Sequence, residues 1–206
     1  MSVLALFPIP GQVTLPNSLY PLHVFEPRYR KMIIDCVENN VPVAVSHTKR
    51  ALRSSRIPVG PKANQSTFEP CNVFSGGQVQ ILQTFDDGRM MVVVDCSKRY
   101  RLINVQQEIP YRLVHCEELE DDPFDESEAE RLKARLVARL SERFGDELHL
   151  REVLNTTEWQ AKSASDASFD LFQFFQLEPD YLQLALELPS PIQRLALLDD
   201  ILDRIS

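Results

Sequence analysis

Leu6-Phe7-Pro8-Ile9-Pro10-Gly11-Gln12-Val13-Thr14-Leu15-Pro16-Asn17-Ser18-Leu19-Tyr20-Pro21-Leu22-His23-Val24-Phe25-Glu26-Pro27-Arg28-Tyr29-Arg30-Lys31-Met32 is the densest run of structural signals in the chain. Its prolines interrupt apolar residues at short intervals, and proline supplies no backbone N–H to a ladder, so the run reads as short strands separated by turns. The pattern changes after Pro27. Tyr29, Met32, Ile33, Cys36 and Val37 fall at i, i+3, i+4, i+7 and i+8, which predicts an amphipathic helix with those five on one face. Arg28, Arg30, Lys31, Asp35 and Glu38 lie off the stripe, as a helix half open to water requires.

Working outward, the segments 4–7, 19–25, 41–45, 79–85, 89–95, 100–105 and 111–116 are rich in β-branched and aromatic residues and bounded by Pro, Gly, Asp or Asn. Several short strands imply a barrel or sandwich. Asp86-Asp87-Gly88 between two of them is a hairpin signal, because glycine tolerates the positive φ of such turns. Residues 46–68 carry Lys49, Arg50, Arg53, Arg56 and Lys62 with no acidic residue, and read as a long basic loop. Two readings of it stay open: a contact for a partner or nucleic acid, and a solvated insertion.

Charge divides the chain. Residues 1–116 hold 13 Lys/Arg against 8 Asp/Glu, and residues 117–206 hold 9 against 22, within a total of −8. The acidic stretch 117–126, broken by Pro123, is expected to be a connector, with a β-rich domain over 1–116 and a helical bundle over 127–206. In the second part Ala129, Leu132, Leu136, Val137, Leu140 and Phe144 form one helical stripe, closed by Gly145. Phe169, Phe172 and Phe175 mark a second helix. Ser190, Pro191 and Gln193 are a helix start leading into Leu195, Leu198, Leu202 and Ile205. Antiparallel packing of these helices is the expectation.

The sequence offers little chemistry. Cys36, Cys71, Cys96 and Cys116 stand far apart with no C-x-x-C pair, which argues against a local zinc motif and suits small buried apolar residues. No G-x-S-x-G elbow or phosphate-cradling glycine loop is present, and Gly76-Gly77 reads as a turn. His23, His47, His115 and His149 have no matched nucleophile, and the pairs Asp86-Asp87, Asp121-Asp122 and Asp199-Asp200 sit in turn, linker and helix-face contexts. The expectation is a non-enzyme with neither cofactor nor metal. No apolar run approaches the ~20 residues of a membrane span, and Met1-Ser2-Val3 lacks a basic secretory start, so a cytoplasmic protein is expected.

The opening run resembles the Lon N-terminal domain family, whose pattern is approximately LFPL-x-x-V-x-x-P-x-x-x-x-PL-x-[IV]-FE-x-RY. Val79-Gln80-Ile81, Asp87-Gly88-Arg89, Arg99-Tyr100-Arg101-Leu102 and Pro110-Tyr111 follow in the family's order, and Leu186-Glu187-Leu188-Pro189-Ser190-Pro191 extends the likeness more loosely. Two departures stand out: Cys96 occupies a position where the family usually has glycine, and Tyr100 replaces a phenylalanine. The resemblance implies an α+β fold, a PUA-like β-pseudobarrel with one packed helix followed by a helical bundle. Full-length Lon proteases add an ATPase module and a Ser-Lys peptidase domain, so the likeness is to the substrate-recognition part, which in the family recognises unfolded or damaged protein. By the same resemblance Glu26 and Arg28 hold the helix start to the barrel and Tyr29 faces the core.

The expected function is therefore binding of unfolded or exposed apolar polypeptide, as an adaptor to a protease or chaperone system. Phe68, Phe74 and Tyr111 are the candidate aromatic contacts, set beside the basic residues Lys49, Arg50, Arg53 and Arg56. These rings have a second reading, as plugs that close the barrel end. The alternative function is an RNA-binding PUA-like module using loop 46–68, which the overall negative charge opposes.

Overall fold

Among the described residues, proline and glycine punctuation in the first 119 positions produces ten strands and one helix. The computed structural model describes residues 1–53, 67–144 and 148–204, and divides into two compact units, Met1–Leu119 and Glu120–Ser206. In the first unit β1 (Ser2–Pro8), β10 (Arg112–Leu119), β9 (Lys98–Gln107), β6 (Val73–Gly77) and β3 (Val43–Ser46) close a barrel in that order. Closure comes from the parallel pairing of β3 with β1, Ala5 opposite Val43 and Phe7 opposite Val45; the other four joints are antiparallel. A second, antiparallel sheet has the order β2 (Ser18–Val24), β8 (Met90–Cys96), β7 (Val79–Thr84). The turn before β8 is built as the sequence predicts: Gly88 has φ +78° and its N–H donates to the Phe85 carbonyl at 2.8 Å.

The continuous apolar runs of β1 and β3 are explained by burial on both faces. Leu4, Leu6 and Ala44 belong to the core inside the barrel, with Phe74, Tyr100, Val114 and Cys116. Ala5, Val43 and Val45 face a second core, shared with Met32 and Ile33 of α1 (Pro27–Asn39) and with Val92 and Val94 of β8. Helix α1 starts on Pro27 and ends on Asn40, whose φ of 54° puts it in the left-handed region. Its buried face is Tyr29, Met32, Ile33 and Cys36; Val37, the fifth residue of the expected stripe, is 45% exposed, beyond the edge of the covered face. All four cysteines are buried and unbridged. Cys96 lies fully buried in the second core.

Two expectations are corrected here. Residues 46–68 are not one continuous loop: β4 (Thr48–Arg53) and β5 (Thr67–Pro70) pair antiparallel, an arrangement masked in sequence by the polar and basic side chains of an exposed two-stranded ribbon. Arg56 and Lys62 lie outside the described residues. Gly76-Gly77 is not a turn but the end of β6, where the chain passes from the barrel into the second sheet.

The second unit is helical: α2 (Glu126–Phe144), α3 (Leu148–Leu154), α4 (Thr157–Gln160), α5 (Ala164–Asp170), a 3-10 turn Leu171–Phe174, α6 (Pro179–Glu187) and α7 (Pro191–Arg204). Side-chain oxygens cap four of the described starts, Asp125 for α2, Thr156 for α4, Ser163 for α5 and Ser190 for α7, each accepting the N–H three residues on. The acidic stretch is shorter than the sequence suggests, since Glu117–Leu119 complete β10 and α2 begins at Glu126. The single helix expected through Phe169, Phe172 and Phe175 is broken; Phe175 is extended and its ring meets Phe144 edge-on at 5.9 Å.

Helices α2 and α7 run in the same direction, which corrects the antiparallel expectation. Their starts are joined by the Asp122 N–H donating to the Pro189 carbonyl at 2.8 Å. Further along, Arg135 donates to Asp199, Arg139 to Asp199 and Asp203, and Arg143 to the Leu202 carbonyl, so the positions advance together. The chain reverses in α3 to α6 between them, which removes the short connection that an antiparallel neighbour rests on. At the start of α7, Arg194 is fully buried. Its guanidinium grips both oxygens of Asp121 at 2.7 Å, donates to Ser168 Oγ at 2.7 Å and lies 4.0 Å from the centre of the Phe169 ring.

Candidate functional site

The proline-punctuated opening run, having formed β1, β2 and the start of α1, leaves a cavity of about 350 Å³ among them. Strand β1 ends at Pro8, and Gly11 at φ +74° turns the chain back toward β2. Four bonds hold this turn: the Ile9 N–H donates to the Ser46 carbonyl at 2.9 Å, the Gln12 N–H to the Ile9 carbonyl at 3.3 Å, the Gly11 N–H to His47 Nδ1 at 3.1 Å, and the Tyr20 hydroxyl to Gln12 Oε1 at 2.6 Å. Five aromatic rings, Phe7, Tyr20, Phe25, Tyr29 and Phe68, line the space. Tyr29 stacks on Phe7 with centroids 4.0 Å apart, and the Arg28 guanidinium lies 4.6 Å from the Tyr29 ring centre. Phe25 is 49% exposed; Tyr29 is buried and Phe7, Tyr20 and Phe68 are half-buried.

Glu26 and Arg28 supply the charge in this wall. Arg28 Nε donates to Glu26 Oε2 at 2.9 Å and Nη2 lies 2.9 Å from the same oxygen, and among the described residues nothing bonds to Oε1. Burial raises the Glu26 carboxyl above its ordinary value, with Arg28 acting in the opposite sense. Burial also raises the phenols of Tyr20 and Tyr29, so both stay protonated at neutral pH. These groups suit reversible binding of a flat apolar group with a hydrogen-bonding tip.

The cysteines are unsuited to covalent chemistry, since burial pushes the thiols of Cys36 and Cys116 up to about 12. Among the described residues no group of His, Cys, Asp and Glu is placed to hold a metal, and no helix is long and apolar enough to cross a membrane.

Of the aromatics singled out from sequence, Phe68 stands at the cavity, its carbonyl held by Arg112 Nη1 at 2.7 Å. Phe74 is 1% exposed inside the barrel and Tyr111 is buried in the second core. Both are corrected from contact residues to core residues: Phe74 faces inward from β6, and Tyr111, just before β10, packs into the core that α1 shares. Lys49 donates to Asn72 Oδ1 at 3.1 Å and Arg50 to Glu69 Oε2 at 2.7 Å, on exposed faces of the ribbon. Arg53 ends β4, its side chain outside the described residues, as is the whole of Arg56. Phe7, Tyr20 and Phe25 are not marked as contacts by sequence, because their rings look like ordinary strand residues and the run Phe25-Glu26-Pro27-Arg28-Tyr29 reads as structural. The nearby prolines were the available signal, since they halt the ladders that would otherwise fill the space.

Tyr111 has a definite job instead. Its hydroxyl donates to Asp35 Oδ2 at 2.8 Å, tying the start of β10 to α1, and this bond with Lys31 holds the Asp35 carboxyl below its ordinary value of 3.8. A lowered folded-state pKa means that the unfolded chain binds more protons, so this stabilisation is present above pH ~4 and is lost as pH falls through the folded value. The urea midpoint is accordingly expected to fall less between pH 5 and pH 3 in Tyr111→Phe than in the unaltered chain. Parallel acid profiles would remove this role from the Tyr111–Asp35 bond.

Comparison with known proteins gives one family. The profile described as the ATP-dependent protease La (LON) substrate-binding domain matches residues 3–204. Among solved structures, a Lon N-terminal domain protein from Xanthomonas campestris aligns with a TM-score of 0.63 at 20% identity, over 96% of this chain and 97% of that one. The N-terminal domain of the Mycobacterium avium complex Lon protease gives 0.63 at 13% identity, with the same coverage of both chains. At these identities the likeness establishes the fold. No curated protein is a significant match. With the barrel, its packed helix and the helical unit all falling inside the matched span, the chain belongs to the Lon substrate-binding domain family.

Proposed function

We propose that this chain is a non-enzymatic, cytoplasmic protein-binding module that takes up exposed apolar side chains of unfolded polypeptide in the cavity of its first unit, as an adaptor to a protease or chaperone system. The observation that carries the reading is the cavity itself, about 350 Å³ and walled by five aromatic rings of which Phe25 is half exposed. Family membership supports it by assigning substrate recognition as the general role. Burying one large apolar side chain contributes roughly 1.5–3 kcal/mol, so a single cavity binds weakly and without strict sequence demands, as a receptor for unfolded chains must. The RNA reading has less support: Lys49 and Arg50 both approach Glu69, which offsets part of the described basic charge of the ribbon.

The test separates binding rings from core rings. Phe25→Ala and Phe68→Ala are expected to melt near the parent and to bind a labelled, permanently unfolded polypeptide at least fivefold more weakly. Phe74→Ala, which empties the barrel core, is expected to lose about 3–5 kcal/mol of stability. Unchanged binding by Phe25→Ala would refute the cavity as the capture site.

A further inference from the structure

Resting on that reading of the cavity, the unshared oxygen of Glu26 has a consequence for which side chains are captured. Arg28 lies against Oε2, leaving Oε1 as an acceptor in the wall of an aromatic space. Oε1 is open to water rather than buried, and a ligand that brings an N–H or O–H exchanges that water for a direct bond to a carboxylate oxygen. The Tyr20 hydroxyl gives its proton to Gln12 Oε1, so its oxygen is also turned to accept. The wall also holds donors, the Arg28 guanidinium, the Gln12 amide and the Tyr29 hydroxyl, of which Arg28 is engaged with Oε2 and Gln12 sits at the exposed rim.

Charge narrows the class further. A cationic side chain would meet the Arg28 guanidinium already lying on Glu26 and near the Tyr29 ring, and an anionic one would meet Oε1. What remains is a neutral group, flat enough to lie among rings and tipped with a donor. The volume of about 350 Å³ corresponds to about a dozen waters, enough for one phenol or indole with its adjoining backbone.

We infer that the cavity selects tyrosine and tryptophan side chains over phenylalanine and leucine, with Glu26 Oε1 accepting the hydroxyl or indole proton. The experiment uses four fluorescein-labelled Ser/Gly peptides with a single central Tyr, Trp, Phe or Leu, titrated by anisotropy against the full chain at pH 7. The tyrosine peptide is expected to bind about tenfold tighter than the phenylalanine peptide, the scale of a hydrogen bond to a charged group after exchange with water. In Glu26→Gln the ratio of tyrosine to phenylalanine peptide affinities should fall at least threefold, the ratio being read separately from any change in overall affinity. Equal binding of the tyrosine and phenylalanine peptides to the unaltered chain overturns the selectivity and leaves apolar capture standing. A ratio unchanged in Glu26→Gln overturns the role of Glu26, and failure of all four peptides to bind at millimolar concentration overturns both the selectivity and the cavity reading.

Discussion

Replacing Gly77 by alanine is expected to unfold the first unit. An added Cβ would lie 2.0 Å from the Asp95 carbonyl oxygen and 3.0 Å from Ser97 Oγ. The nearer obstacle is backbone of the strand end opposite, and it cannot swing aside as a side chain does. Relief requires β6 and β8 to separate where the chain leaves the barrel for the second sheet, at a point also tied by the Asp95 N–H donating to the Gln78 carbonyl at 2.8 Å. Overpacking of ordinary side chains costs about 1–3 kcal/mol, and a clash with fixed backbone exceeds that, so a loss of at least about 4 kcal/mol is expected. That is most of the stability of a typical domain. Gly11→Ala is the control: its Cβ meets nothing within 4 Å and the strain is confined to φ +74°, worth about 1 kcal/mol. Urea denaturation of the two variants measures the contrast, and a Gly77→Ala midpoint close to that of Gly11→Ala would contradict the packing described at this corner.

The second large effect is expected at the buried ion pair. Asp121→Ala leaves the Arg194 guanidinium, fully buried in the structure, with Ser168 Oγ at 2.7 Å and the Leu188 carbonyl at 3.1 Å but without the carboxylate that balances it. Stranding one member of such a pair costs about 3–5 kcal/mol, whereas removing both charges together costs much less. Asp121→Ala combined with Arg194→Met should therefore recover a substantial part of the loss, with the methionine stem keeping contact with Phe169. The measurement is a double-mutant cycle by thermal or urea unfolding followed on the helical signal. Additive losses would show that the two side chains act independently and would set aside the clamp at the start of α7.

Much of the fold was legible because its signals are local. Pro27 and the spacing of Tyr29, Met32, Ile33 and Cys36 are enough to place α1, and Gly88 is enough to place the turn before β8. Ser190 and Pro191 start α7 where their cap geometry predicts. The ribbon of β4 and β5 was illegible since its basic, exposed strands carry no alternation of apolar residues for a buried face. The broken helix after Asp170 was misread for a related reason: phenylalanines at helical spacing report which residues are buried and say little about how the backbone turns between them.

Propensity, capping and motif spacing are properties of neighbouring residues, and they suffice for the strand-rich first part, the helical second part, the helix between β2 and β3, and the family. The parallel closure of the barrel, the common direction of α2 and α7, and the partners Tyr111 with Asp35 and Arg194 with Asp121, 76 and 73 residues apart in the chain, emerge on folding. The cavity is of the same kind. Phe7, Tyr20, Tyr29 and Phe68 come from four elements, and no local pattern encodes the space left among them. Loop-closure entropy rises only with the logarithm of separation, so many distant pairings are nearly equal in cost, and the complementarity of surfaces after folding chooses among them.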